Sequence, residues 1–302
     1  MKTPIVFIIF NRPALASKVW QVIRDAKPER LFVIADGPRE TVPEDKERCA
    51  ATRRVVEAGA DWPCEIVRLY SDTNLGCGRR ISSGLSEVFR LSEEAIILED
   101  DCLPDPSFFP FCEELLARYR HDPRVAQIGG SCFQGMRPTR EGPSYFFSRY
   151  PHCWGWATWR RAWANYDHEM RIWRDDPGAG WLDRVVSHRD ERRYWRQNFG
   201  RTAGGLVDSW AYRWTLAVFK RGDFCVSPKA NLVLNIGFGV DATHTTETGP
   251  LAERALEAAT FPLVHPSSFA FDDESDERSS RQLFRSPGIG RRLFRRLARW
   301  VK

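Results

Sequence analysis

Short apolar runs alternate with amphipathic stretches through the first half of the chain. Residues 4–10 read Pro-Ile-Val-Phe-Ile-Ile-Phe, a run rich in β-branched and aromatic side chains with no helical period, which predicts a strand buried on both faces. Asn11-Arg12-Pro13 ends it. Pro13 suits the first turn of a helix, and Leu15, Val19, Val22 and Ile23 then recur at helical spacing. A second strand is predicted over 31–35, stopping at Asp36-Gly37-Pro38-Arg39, and a helix over 44–59 with Gly59 past its end. A third strand over 64–69 leads to Ser71-Asp72-Thr73-Asn74-Leu75-Gly76-Cys77-Gly78-Arg79-Arg80 and a helix over 81–91. Residues 95–98 form a fourth apolar run, followed by a helix over 107–119 and a strand over 125–128. Strands alternating with helices in this way predict an α/β fold with a mostly parallel, doubly wound sheet.

The second half is less regular. Residues 145–148 predict a short strand. In His152-Cys153-Trp154-Gly155-Trp156-Ala157-Thr158-Trp159-Arg160-Arg161-Ala162-Trp163, the i, i+4 spacing of Trp159 and Trp163 predicts a buried helix start. Asp208 precedes an amphipathic helix carrying Trp210, Trp214, Ala217 and Val218, where it suits an N-cap. Residues 231–236 predict a strand, and 237–245 a glycine-containing loop with Phe238, Gly239 and His244. Residues 271–285 are acidic, then polar, without an apolar period, and are expected to be a linker between a domain of residues 1–270 and a tail of residues 286–302. In that tail Ile289, Leu293, Phe294, Leu297, Trp300 and Val301 share one helical face, surrounded by Arg291, Arg292, Arg295, Arg296 and Arg299. A basic amphipathic helix with an interfacial Trp suits an anionic membrane surface. The alternatives are packing on the domain or a disordered tail.

The chemistry concentrates where the fourth run stops, at Glu99-Asp100-Asp101. Three adjacent acids at the end of a buried strand repel one another and need a cation or hydrogen-bond donors. Oxygen ligands there suit a hard divalent ion, Mg²⁺ or Mn²⁺, and ligands bind outside the carboxyl ends of strands in open α/β sheets. A solvated acidic turn is the plainer alternative. Arg12 and Asp36 also follow strands, where a guanidinium meets phosphates or a base and a carboxylate accepts from ribose; a surface Arg and a turn-forming Asp-Gly are the alternatives. Asn74 and Arg79 belong to the segment before the third helix, whose glycines and arginines outline an anion site. That segment is neither a P-loop nor a GxGxxG fingerprint.

Composition adds few constraints. The chain has 302 residues, 42% of them hydrophobic, with 12 Trp and a net charge of +5. The basic excess belongs to the last twenty or so residues, the rest being slightly acidic, so nucleic acid is not an expected partner. Eight cysteines lie without CxxC spacing, which argues against zinc and thioredoxin-type sites and for reduced, buried thiols. No stretch has the pattern of a signal peptide or the length of a membrane span, so a cytoplasmic protein, soluble or peripheral at the inner membrane face, is expected.

The order strand–Asn-Arg-Pro, strand–Asp-Gly, Asn-Leu-Gly–helix and strand–Glu-Asp-Asp resembles the GT-A-fold nucleotide-sugar glycosyltransferases, nearest in pattern to the N-acetylglucosaminyltransferase I group and related bacterial sugar transferases. The resemblance covers roughly residues 4–245. It implies that Asp101 ligates the metal, that Glu99 and Asp100 contact the donor sugar and ribose, and that Arg12 and Asp36 bind the nucleotide. It further implies sugar contacts for Trp154 or Trp156 in the Gly-Trp segment, metal or diphosphate binding by His244, and a general base at Asp208. Asp183 and Asp190 are alternatives for the base without motif support. The implied reaction moves a sugar, with inversion, from a UDP-sugar to a hydroxyl of a glycan or lipid-linked acceptor. A nucleotidyltransferase that forms nucleotide-sugars and an inactive, membrane-docked sugar-binding protein are the competing readings.

Overall fold

Strand β1 (Ile5–Ile9) explains why the apolar runs are continuous rather than alternating. Ile5, Phe7 and Ile9 point into one hydrophobic cluster, and Val6 and Ile8 into another on the opposite face of the sheet. The computed structural model describes residues 1–133, 142–176, 178, 180–238 and 254–285. His244 and the basic stretch 286–302 lie outside the described residues.

After β1 come α1 (Pro13–Ala26), β2 (Arg30–Ala35), α2 (Glu44–Glu57), β3 (Glu65–Tyr70), α3 (Cys77–Leu91) and β4 (Glu94–Glu99), in strict alternation. Then follow β5 (Cys102–Pro104), α4 (Phe108–Tyr119), β6 (Val125–Gly129), β7 (Tyr145–Ser148) and β8 (Trp156–Trp159). Four helices come next: α5 (Arg160–Trp163), α6 (Arg171–Asp175), α7 (Leu182–Val185) and α8 (Arg189–Ala203). The described chain closes with α9 (Trp210–Arg221), β9 (Phe224–Pro228), β10 (Val233–Asn235) and α10 (Asp273–Leu283).

Eight strands form one sheet in the order β3-β2-β1-β4-β8-β6-β9-β7. The first four are mutually parallel, β6 and β9 pair in parallel, and β8 and β7 run antiparallel to their neighbours. The fold is therefore α/β and Rossmann-like, with a mostly parallel sheet and helices on both faces. β2 lies on one side of β1 and β4 on the other, so the winding reverses between β1 and β4. Such a reversal splays the connections apart and opens a crevice at the carboxyl ends of the strands. β5 and β10 form a separate antiparallel ribbon that continues outward from the end of β4.

Two expected elements differ. Trp156–Trp159 is strand β8, wedged antiparallel between β4 and β6, not a helix start. Aromatic and β-branched residues pack well on a pleated surface, and Thr158 donates to the Ala126 carbonyl. Trp159 and Trp163 are buried as expected, but at the end of β8 and on short α5. Likewise, residues 271–285 contain helix α10 rather than a linker. Asp272 caps it, accepting from the Ser275 N–H at 2.9 Å. Its buried face is polar. Asp276 accepts from Ser148 Oγ and the Arg149 N–H, and Ser280 Oγ donates to buried Glu191 on α8. A helix docked through hydrogen bonds leaves no apolar period in the sequence.

Candidate active site

The β1–β4 reversal places two turns side by side. Arg12 stands one turn beyond β1, at the start of α1, where Pro13 opens the helix at once and leaves no intervening loop. Asp100 and Asp101 follow directly on β4. Arg12 bridges both: one guanidinium nitrogen donates to Asp100 Oδ1 and the other to Asp101 Oδ2 at 2.9 Å. The Phe10 N–H donates to Asp100 Oδ2 at 3.1 Å. Asp100 is 2% exposed and Asp101 16%. The acidic cluster therefore carries its own counter-ion, and Arg12 is turned onto the aspartates rather than left free for a phosphate.

Burial works against the Arg12 charge, but Asp100 and Asp101 outweigh it and raise its pKa. Burial also raises Asp100, with Arg12 and the Phe10 N–H pulling the other way. Glu99 is pushed up by burial first and then by Asp101 and Asp100. It sits at the end of β4 without a hydrogen-bonding side-chain partner of its own among the described residues.

A second layer fixes the turn that carries Arg12. Asp45, in the first turn of α2, accepts from Asn11 Nδ2 at 2.6 Å and from the Arg39 guanidinium at 2.5 and 3.0 Å. Arg48 Nε donates to the Asn11 carbonyl at 3.0 Å. These donors, Arg39 foremost, hold the Asp45 carboxyl down at about 2, below its ordinary 3.8. A depressed carboxylate stabilises the fold above its unfolded value and loses that contribution as the pH falls towards its folded value. Asp45→Asn is expected to lower the unfolding free energy by about 1.5–3 kcal/mol at pH 7. In urea titrations the deficit should shrink between pH 4 and 2; a deficit independent of pH would contradict the assignment.

Asp36 ends β2 and is 7% exposed. Its carboxylate accepts from the backbone N–H groups of Gly37, Leu75 and Gly76 and from Asn74 Nδ2, at 2.9 to 3.2 Å. Burial raises its pKa against those donors. Asp36 and Asn74 thus clamp the loop before α3 instead of presenting free groups to a nucleotide. The close approach is visible at Gly37, where a Cβ would lie 2.5 Å from the Thr73 carbonyl carbon. Arg79 is exposed at the start of α3, and no described side chain pairs with it.

Asp208 does not cap its own helix. Ser209 occupies the N-cap of α9 without a side-chain bond, while Asp208 Oδ1 accepts from the Gly78 N–H of α3 at 3.0 Å. It offsets the two arginines that open α3 and would otherwise oppose the helix dipole. The fit requires two glycines. A Cβ on Gly78 would lie 2.2 Å from Asp208 Oδ1 and 2.9 Å from the Arg213 guanidinium. Gly76, at φ +81°, would place one 2.5 Å from Asp208 Oδ2. Burial raises the Cys77 thiol first, and Glu99, Asp208 and Asp36 add to it in that order. Asp36, at the carboxyl end of β2, and Asp208 hold backbone N–H groups two residues apart, at Gly76 and Gly78. Asp183 and Asp190 lie elsewhere, on α7 and α8; Asp183 pairs with Arg196 at 2.8 Å.

The tryptophans separate. Trp156 is fully buried, stacked on Trp210 at 5.3 Å, and belongs to the core rather than to a sugar platform. Trp154 is half-buried against Phe133 and Phe238, with ring centroids at 5.2 and 5.7 Å. Gly237, next to Phe238, packs so closely on Asp101 that a Cβ there would lie 2.5 Å from Asp101 Oδ2. Phe238 follows directly on this contact, and Trp154 packs edge-on against Phe238. Sequence reasoning missed Asp45, Asn11 and Arg213. Asp45 lies beyond Gly37-Pro38, in the first turn of a charged helix, where nothing in the local spacing signals that it is buried.

The fit to a divalent ion rests on Asp101. Its Oδ2 takes Arg12 and its Oδ1 a Cys102 thiol at 3.5 Å, which leaves two of about four acceptor positions. Among the described residues no group of three His, Cys, Asp or Glu side chains is placed to hold a metal. The donor set fits an ion bound through one carboxylate and completed by ligand phosphates, the usual habit of Mg²⁺, and not a protein cage.

No family description and no curated protein matches the chain. Among solved structures it is similar to the galactosyltransferase LgtC in complex with donor and acceptor sugar analogs: 14% identity, 73% of this chain, 72% of that chain, TM-score 0.34. It is also similar to a cytidylyltransferase from Leptospira borgpetersenii at 11% identity and TM-score 0.35, spanning 55% of this chain and 64%, less than two thirds, of that one. A UTP-bound UGPase from Acinetobacter baumannii gives 7% identity and TM-score 0.37 over 76% and 86%. These likenesses are too distant to assign an activity. No described helix is long and apolar enough to cross a membrane.

Proposed function

We propose that the protein is a nucleotide-sugar glycosyltransferase that moves a sugar from a UDP-sugar to a hydroxyl of a glycan or lipid-linked glycan, with inversion. One observation carries the reading. The Arg12–Asp100–Asp101 assembly occupies the β1–β4 reversal, and Asp208 is anchored on Gly78, at the start of the helix whose preceding loop Asp36 holds to the end of the neighbouring β2. Acids that hold a diphosphate through a metal and a separate exposed carboxylate are the two halves that glycosyl transfer needs.

Asp101 would share a divalent ion, Mn²⁺ or Mg²⁺, with the donor diphosphate, which neutralises charge on the departing nucleotide. Arg12 holds Asp100 and Asp101 in place through its two ion pairs. Asp208 holds its carboxylate by the Gly78 bond, leaving Oδ2 to take the proton of the acceptor hydroxyl as it attacks the anomeric carbon. Glu99, biased towards its protonated form, donates a hydrogen bond to a donor-sugar oxygen. Phe238, which follows Gly237, and Trp154 packed against it offer aromatic surface for a sugar.

Nucleotidyl transfer is less well supported, because α1 begins directly after Arg12 and leaves no glycine-rich loop to cradle a triphosphate. The experiment incubates the protein and Mn²⁺ with a panel of UDP-sugars and measures released UDP, with and without glycan acceptors. Acceptor-stimulated UDP release is expected. Pyrophosphate release from UTP and a sugar 1-phosphate, with no UDP from any donor, would replace this reading with the nucleotidyltransferase one.

A further inference from the structure

Away from the crevice, the start of α8 and the adjoining α7 enclose an open cavity of about 780 Å³. It is lined by Asp183, Arg189, Arg192, Arg193, Arg196 and Gln197. The arginines fall at i, i+3, i+4 and i+7, so all four lie on one helix face with neighbouring side chains about 5–6 Å apart at Cβ. Like charges at these spacings repel, while Asp190 and Glu191 in the same first turn suit the helix dipole. Asp183 answers only part of this, pairing with Arg196 at 2.8 Å and Arg192 at 3.4 Å. Arg192 also donates to the Val186 and Ser187 carbonyls, at 3.3 and 3.1 Å. Arg189 and Arg193 are exposed, and no described carboxylate pairs with either. Elsewhere this chain pairs arginines with acids freely, as at Arg24–Asp61, Arg120–Glu94 and Arg149–Asp276. Two guanidiniums held by the protein and two left open, around one cavity, break the local rule without an internal gain, which is the mark of a site built for something else.

We propose that this cavity is a second binding site, for a ligand bearing two or more phosphate groups. Guanidinium forks match phosphate oxygens two at a time, and successive arginines one turn apart along α8 suit phosphates linked a few ångströms from one another. The site needs nothing from the catalytic reading and stands or falls separately. The same chemistry is offered by a soluble phosphorylated glycan and by clustered lipid headgroups.

The test uses the full chain. Inorganic tripolyphosphate is titrated by calorimetry, and sedimentation is measured with vesicles of phosphatidylglycerol or of phosphatidylcholine. The comparison includes R189E/R193E, the milder R189Q/R193Q, and R201E as an exposed α8 control outside the cavity. Loss of one or both phosphate forks is expected to weaken binding about tenfold or more in R189E/R193E, less in the Gln pair, and not in R201E. UDP binding should be unchanged throughout. A loss confined to tripolyphosphate assigns a soluble ligand; a loss confined to phosphatidylglycerol vesicles assigns a headgroup surface. Equal affinity in all variants, or no binding of either probe by the wild-type chain, overturns the proposal.

Discussion

Asp208→Asn is expected to lower kcat for sugar transfer by about two to four orders of magnitude, the usual contribution of a positioned general base. KM for the donor should stay within about threefold, since the substitution removes only a proton acceptor. The argument depends on how Asp208 is held. Its Oδ1 takes the Gly78 N–H, and an Asn carbonyl can do the same, so α3 keeps its start and Arg213 its surroundings. Asp208→Ala removes that bond as well and is expected to cost about 1 kcal/mol of stability through the lost cap. If Asn and Ala are equally unstable and equally inactive, the residue is structural. If Asn folds like wild type and has lost transfer but not donor binding, the carboxylate is the base. Wild-type kcat in Asp208→Asn would contradict the role outright.

Arg12→Met is expected to lower the unfolding free energy by about 3–5 kcal/mol, because it leaves Asp100 and Asp101 in a nearly dry corner without their counter-ion. Met keeps much of the arginine stem's volume, so the loss reports charge more than packing. Glu99 and Asp100 are already raised by burial. Without Arg12 they rise further, and a raised carboxyl destabilises the fold increasingly as the pH climbs through its folded value. The deficit should therefore be larger at pH 8 than at pH 5, opposite in trend to a simple loss of packing. Chemical denaturation at the two pH values checks this. An equal and small deficit at both would mean that solvent, not Arg12, carries the aspartates.

The parallel half of the sheet was legible because strands buried on both faces are continuous apolar runs, and β1, β2 and β4 announce themselves by where those runs stop. The same stops located Arg12, Asp36 and the three acids. What those residues touch was not legible. Asp36 clamps a loop some forty residues away, and Asp208 serves a helix 130 residues earlier in the chain. Neither pairing leaves a trace in local spacing. Trp156 shows the limit of residue type: the same indole suits a sugar or a core, and only its place on β8, between two other strands, decides for the core. α10 escaped for the opposite reason, because serines and Asp276 do the packing that apolar residues usually do.

The measurement that tests the central claim most directly is a calorimetric titration of UDP into the intact chain and into Asp101→Ala, each with and without Mn²⁺. The account predicts that UDP binds the intact chain, that Mn²⁺ strengthens this binding, and that the strengthening disappears in Asp101→Ala. UDP affinity that ignores both the ion and Asp101, in two folded proteins, would contradict it.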